Sequence, residues 1–197
     1  VKAGLIALAS VLLPVPVAPA IPQMVVIEPS AIVQVICVSS DGMAAGTAYR
    51  VGPDLMLTAS HVTSGNGDCF IGRDPVRIAW KSPDADFTEL HGGPGPYLSV
   101  DCGGFVKGKK YLSVGFARGQ SPVTSVELTA TGEYDDDNGQ AILVGMVPII
   151  PGMSGGPLLD EETGKVVGIN NMENFEQGLS WSVELKGTPV CKRSNVA

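Results

Sequence analysis

A serine set among small residues, in Gly152-Met153-Ser154-Gly155-Gly156-Pro157, is the stretch of this 197-residue chain best suited to covalent chemistry. Glycines allow a tight turn that leaves the hydroxyl exposed. Such a turn also aims the backbone N–H groups of Gly152 and Ser154 at one point, where they would steady the charge formed when the serine attacks a carbonyl. The hydroxyl needs a base, and the chain holds two histidines, His61 and His91. An imidazole titrating near neutrality can take the serine proton and return it to a leaving amine. The base in turn needs an orienting carboxylate, and Ser82-Pro83-Asp84-Ala85-Asp86 offers two. Taken alone, the serine stretch also fits an ordinary Gly/Pro turn, and a lone histidine also fits a structural role.

These groups must be positioned by short strands. Twenty-five glycines, fifteen prolines and 17% charged residues suit strands joined by turns better than long helices. Ala31 to Val38 is a β-branched run, Gly46 to Val51 a second strand, and Gly52-Pro53-Asp54 a turn leading through Leu55-Met56-Leu57-Thr58-Ala59-Ser60 to His61. In the second half, Ser125 to Gly132 and Ala141 to Val147 alternate as strands. Between them Glu133 to Gly139 reads as a solvated hairpin tip ending in Asn138-Gly139. A calcium loop is not supported there, because the distal Glu ligand is missing.

Gly-x-Ser-x-Gly also matches the nucleophile elbow of α/β-hydrolases, but in those enzymes the histidine follows the serine. Here both histidines precede it. The order His61, Asp, Ser154, the strand Gly46-Thr47-Ala48, the Leu57-Thr58-Ala59-x-His61 segment and Gly-x-Ser-Gly-Gly-Pro together resemble the chymotrypsin-like serine peptidases. Gly108-Lys109-Lys110-Tyr111-Leu112-Ser113-Val114-Gly115-Phe116 resembles that family's second-barrel opening. The resemblance covers about Gly46 to Val183. It implies an all-β fold of two antiparallel β-barrels of the six-stranded type, 21–93 and 94–185 with a tail at 186–197, and an active site in the cleft between them.

It further implies a serine endopeptidase acting through an acyl-enzyme, with His61, Asp86 and Ser154 as the triad and the N–H groups of Gly152 and Ser154 as the oxyanion hole. Asp86 is preferred over Asp84, since Asp86-Phe87-Thr88-Glu89-Leu90 has the family's acid-before-strand spacing. Glu89 departs from the apolar or small residue usual there. The pocket for the side chain preceding the scissile bond would be walled by Pro148 and Ile149 on one side and by Asn170, Asn171, Met172, Ser180 and Trp181 on the other. With no Asp before the nucleophile, an apolar or small-residue preference is expected, Trp181 limiting the depth. Met153 stands where digestive trypsins carry the Asp that receives a new amino terminus, and no Ile-Val-Gly-Gly occurs. The chain is therefore closer to Deg/high-temperature-requirement and minimal viral types. His91, before Gly92-Gly93-Pro94-Gly95-Pro96, is read as an exposed residue of the inter-barrel linker.

The partners expected are protein or peptide substrates. The net charge of −7 argues against nucleic acid. No metal or organic cofactor is called for. Residues 1–20 carry one charge, Lys2, and end in Ala18-Pro19-Ala20, a pattern that reads as a removable secretory signal or, alternatively, a membrane-anchor segment. The four cysteines lack a Cys-x-x-Cys pair, which argues against zinc. In an oxidising compartment they would form two disulfides, with three connectivities open, Cys37–Cys69 and Cys102–Cys191 being favoured. Two rival readings stay open: a catalytically silent binding or assembly module of the same fold, and a membrane-tethered viral or phage protease that processes its own precursor. Oligomeric state is not legible.

Overall fold

A computed structural model of the chain describes residues 27–40, 42–65, 67–135 and 140–194. The expected signal segment and the Asn138-Gly139 turn lie outside these residues. The β-branched run builds β1 (Ile32–Ser39), and β2 (Gly42–Gly52) returns antiparallel to it, pairing Ile32 with Tyr49 and Cys37 with Ala44. After the Pro53-Asp54 turn come β3 (Leu55–Thr58), β4 (Asp68–Ile71), β5 (Asp74–Lys81) and β6 (Thr88–His91). β1 pairs with β4 as well as β2, which closes a barrel in the order β1-β2-β3-β6-β5-β4.

The second half forms β7 (Lys110–Gly115), β8 (Thr124–Asp135), β9 (Gln140–Val144), β10 (Pro157–Asp160), β11 (Val166–Asn174) and β12 (Leu179–Glu184). These close in the order β10-β11-β12-β9-β8-β7, β10 returning to β7. The described chain is thus all-β in two six-stranded antiparallel barrels, with one short helix, α1 (Pro189–Ser194). Register shifts in β2 between Arg50 and Gly52, in β5 between Ile78 and Trp80, and in β11 between Asn170 and Met172 bend the strands as closure demands.

One apolar core fills the first barrel with Val35, Tyr49, Met56, Leu57 and Leu90, and continues across the barrel interface through Leu159, Val166, Ile169 and Val183. A second core, with Tyr111, Leu128, Leu143 and Leu158, fills the other barrel. The connector after β6 lies along both: Leu98 N–H donates to Arg50 O, and Asp101 N–H to Val166 O. The barrels are therefore held as one body by continuous burial rather than by a loose link.

The C-terminal helix closes the arrangement. Disulfides join Cys37 to Cys69 within the first barrel and Cys102 of the connector to Cys191 of α1, the pairing favoured from sequence. They suit an oxidising extracellular or periplasmic setting. Two residues on, Arg193 Nη2 meets Glu89 Oε1 at 2.6 Å, and Glu89 is 5% exposed. The unusual glutamate is thus the buried half of a contact between the two ends of the fold. His91 departs from expectation: it is the last residue of β6, and its Nδ1 lies 3.0 Å from Asp54 Oδ2, so strand pairing and a carboxylate hold it in place. Among the described residues no helix is long and apolar enough to cross a membrane.

Candidate active site

His61 sits in the turn that follows β3, its carbonyl accepting from Ser64 N–H at 3.3 Å and from Ser64 Oγ at 2.7 Å. Asp86 comes from the loop before β6. One of its carboxylate oxygens lies 2.6 Å from His61 Nδ1, and the other accepts the His61 backbone N–H at 2.8 Å. Two-point attachment fixes the ring plane and leaves Nε2 as the nitrogen free to face the cleft. Burial opposes ionisation of Asp86. The bond and charge of His61, with the backbone N–H groups of His61 and Ser60, outweigh it and hold the carboxyl below the usual range. Asp84 does not reach the ring; its N–H donates to Ser82 Oγ within the same loop.

Ser154 lies between β9 and β10, in a turn whose glycines are there for a reason. Gly152 and Gly155 have φ of +93° and +82°, the left-handed region that favours glycine. The first barrel holds this turn directly. Thr47 N–H donates to Ser154 O at 2.8 Å, and Thr47 Oγ1 donates to Gly152 O at 2.8 Å while accepting from Phe116 N–H at 3.0 Å. Within the turn, Met153 N–H goes to Ile150 O, Gly155 N–H to Asn170 O and Gly156 N–H to Met153 O. Among the described residues the N–H groups of Gly152 and Ser154 have no such acceptor. The Ser154 hydroxyl donates to the Asn171 carbonyl at 3.0 Å.

β11 and β12 supply the neighbouring wall. Opposed residues of an antiparallel pair share a face, and alternate residues of a strand do too. Asn170 pairs with Ser182, and Glu173 with Ser180, so these four lie on one face. It is the inner face, since Ser180 also opposes the fully buried Leu143 and its Oγ accepts from Ile149 N–H at 2.9 Å. Pro148 and Ile149 are buried against it. Met172 and Trp181 pair with each other on the opposite face, where Trp181 also meets Ile142. Alternation therefore turns Trp181 away from the wall it was expected to limit. Sequence reasoning missed Thr47, Glu173 and Ser182; the Ser180-Trp181-Ser182 alternation was the signal for the last.

Two closed six-stranded barrels, with a fixed His–Asp pair on one and a glycine-turned serine on the other, define the two-barrel serine peptidase class. Residues 46–169 match the model of the trypsin-like peptidase domain, and the chain belongs to that family, whose enzymes are serine endopeptidases and thus hydrolases. No curated protein matches the sequence. Among solved structures the chain is similar to the active form of the Rv3671c protease of M. tuberculosis, with 20% identity, TM-score 0.65, and 89% of this chain and 90% of that one covered. It is similar also to the HtrA-type protease AlgW with tripeptide, at 19% identity and TM-score 0.67, with 85% of this chain covered but 60% of the other. The serine endoprotease of Yersinia pestis gives 18%, TM-score 0.64, and coverages of 84% and 61%. At these identities the likeness is one of fold.

Proposed function

We propose that the chain hydrolyses peptide bonds through an acyl-enzyme on Ser154, with His61 as base, Asp86 as its orienting carboxylate, and the N–H groups of Gly152 and Ser154 as the oxyanion hole. The observation that carries this reading is the His61–Asp86 contact at 2.6 Å together with a serine turn in which the N–H groups of Gly152 and Ser154 have no backbone acceptor among the described residues. In this reading the Ser154 hydroxyl leaves Asn171 O, its partner in the structure, to donate to His61 Nε2. As Oγ bonds to the substrate carbonyl carbon, its proton passes to Nε2 and the carbonyl oxygen becomes an anion facing the two N–H groups. The imidazolium then protonates the departing amine, and water repeats the cycle on the ester. Asp86 stays ionised throughout, which keeps Nδ1 protonated and Nε2 basic. Base, nucleophile and charge stabilisation all come from the chain itself.

The substrates are proteins or peptides. Pro148 and Ile149 on one wall, with Asn170, Asn171 and Ser180 on the other, favour an apolar or small side chain before the scissile bond. The two disulfides support a secreted or periplasmic setting, with residues 1–20 as the export signal; retained, they would tether the enzyme to a membrane. The test is labelling of purified protein by a fluorophosphonate at pH 7.5. Loss of labelling in Ser154→Ala and His61→Ala, with turnover lowered by on the order of a millionfold, is the expected result. Folded wild-type protein that does not label would overturn the reading in favour of a silent module.

A further inference from the structure

Asn170 of β11 holds the serine turn at three of its residues. Its backbone N–H donates to Gly156 O at 2.9 Å, and its carbonyl accepts Gly155 N–H at 2.7 Å. Its side-chain Nδ2 donates to Met153 O at 3.4 Å and to Val114 O of β7 at 3.1 Å. The residue stands in the wall beside the pocket, yet it is fully buried and its amide end is turned to the back of the serine turn. Both of the atoms it meets there are carbonyl oxygens, so the nitrogen is the atom that must face them. The approach is possible because Gly156 has no side chain: a Cβ there would stand 2.1 Å from Val114 O and 3.1 Å from Asn170 Nδ2.

The side-chain contact bears on one peptide in particular. Met153 O and Ser154 N–H belong to the same peptide unit, which is trans, and planarity points the two groups in opposite directions. Asn170 Nδ2 and Gly156 N–H, the latter at 2.9 Å, hold Met153 O toward the barrel interior. The Ser154 N–H is thereby aimed outward, at the cleft. The Gly152 N–H belongs to a different peptide, whose carbonyl, Pro151 O, accepts the backbone N–H of Arg118. Keeping an amide in this position has a cost, because Asn170 Oδ1 is buried and has no hydrogen-bond partner among the described residues. An apolar side chain of the same size would avoid that cost. What it could not supply is the hold on Met153 O and Val114 O.

We propose that Asn170 is a positioning residue for the reaction: its amide fixes the Met153–Ser154 peptide so that the Ser154 N–H meets the anion formed on the attacked carbonyl. This rests on the endopeptidase reading above and adds to it a residue outside the triad and the oxyanion hole. Without the amide, Met153 O keeps only the Gly156 N–H, and the peptide can rock about its two flanking bonds. A donor turned off its line stabilises the anion less. The uncharged ground state gains little from that donor, so the loss falls on the chemical step rather than on substrate binding.

The test compares Asn170→Ala, which removes the amide, and Asn170→Leu, which fills the same space without donors, with the wild type. The substrate is p-nitrophenyl acetate, a small ester that needs no side-chain pocket. Rates are taken where circular dichroism shows each protein folded, and active sites are counted by exhaustive fluorophosphonate labelling. In both variants kcat and kcat/KM per labelled site are expected to fall together by about tenfold to hundredfold, less than the roughly 10²–10³ for outright loss of an oxyanion donor. The pH profile should keep its wild-type midpoint, because the base is untouched. A role in stability alone would lower the melting temperature or the number of labelled sites and leave kcat per site at the wild-type value, and that overturns the proposal. A displaced pH profile would mean that Asn170 acts through His61, and that too overturns it. Wild-type protein that does not label removes the endopeptidase reading and this inference with it.

Discussion

The backbone N–H of Thr47 donates to the carbonyl oxygen of Ser154 at 2.8 Å, so the serine turn of the second barrel hangs on a strand of the first. The same threonine's hydroxyl bridges Gly152 O and Phe116 N–H. One residue thus aligns the groups on either side of the cleft. Thr47→Val keeps the size but leaves both bridged groups without their partner, at a cost of about 1–3 kcal/mol. Denaturant unfolding should show this loss, fluorophosphonate labelling should slow, and Thr47→Ser should restore both.

Gly46 makes a steric prediction beside it. A Cβ there would stand 2.6 Å from Val62 Cγ2 and 2.8 Å from Ser154 O. Gly46→Ala must push the serine turn away from the first barrel, costing about 1–3 kcal/mol and slowing labelling. Gly52→Ala, where the nearest atom is 3.6 Å away, is the control and should be close to neutral in both measurements.

Asp86 is expected to matter through the tautomer of His61. Asp86→Asn should lower kcat by on the order of 10⁴-fold with circular dichroism unchanged. Asp84→Asn should leave kcat within error, because the carboxylate on the His61 ring is that of Asp86, while Asp84 is tied to Ser82 through its backbone N–H. Equal losses in the two variants would remove the assignment.

Acid should weaken the fold through Asp86 and Asp160. Burial opposes the charge of each, yet hydrogen bonds win: from His61 to Asp86, and from Lys109 and the N–H groups of Glu162 and Thr163 to Asp160. A carboxyl lowered on folding adds stability above its unfolded value, about pH 4, and loses it as pH falls through the lower folded value. The melting temperature should therefore be flat near neutrality and fall below about pH 4. In Asp160→Asn the neutral plateau should drop and the acid slope should become shallower.

The far end of the chain gives the last prediction. Arg193→Ala strands the buried Glu89 carboxylate and should cost on the order of 1–3 kcal/mol, since the arginine itself is half-exposed. Glu89→Gln in that background should recover part of the loss, by removing the uncompensated charge. Melting of the four forms of the cycle measures the coupling.

Much of this was legible in the amino-acid sequence because the chemistry needs rare residues in a fixed order. One serine among glycines, and a histidine after a Thr-Ala strand end, left few arrangements open. The strand β5 was not legible: Asp74 to Lys81 is almost wholly exposed, so burial imposes no alternation on it. Nor was the partner of His91, since Asp54 is brought to it only by the pairing of β3 with β6. The facing of Trp181 failed for a related reason. Its orientation follows from the register of β11 against β12, which includes a shift at Asn171 that composition does not announce. The same register makes Glu173 a neighbour of Ser180, although they stand seven positions apart in sequence.

The clasp at α1 has a bearing on when this molecule becomes whole. Cys102 and Glu89 are made early, but their partners Cys191 and Arg193 leave the ribosome about 90 to 100 residues later, with vectorial synthesis at roughly 5–20 residues per second. Until then, Glu89 has no counter-ion and the connector is not pinned. The nascent chain thus holds its base and acid well before its two halves are locked in register. Full alignment of the cleft is a late event, completed by six residues that touch none of the reacting atoms.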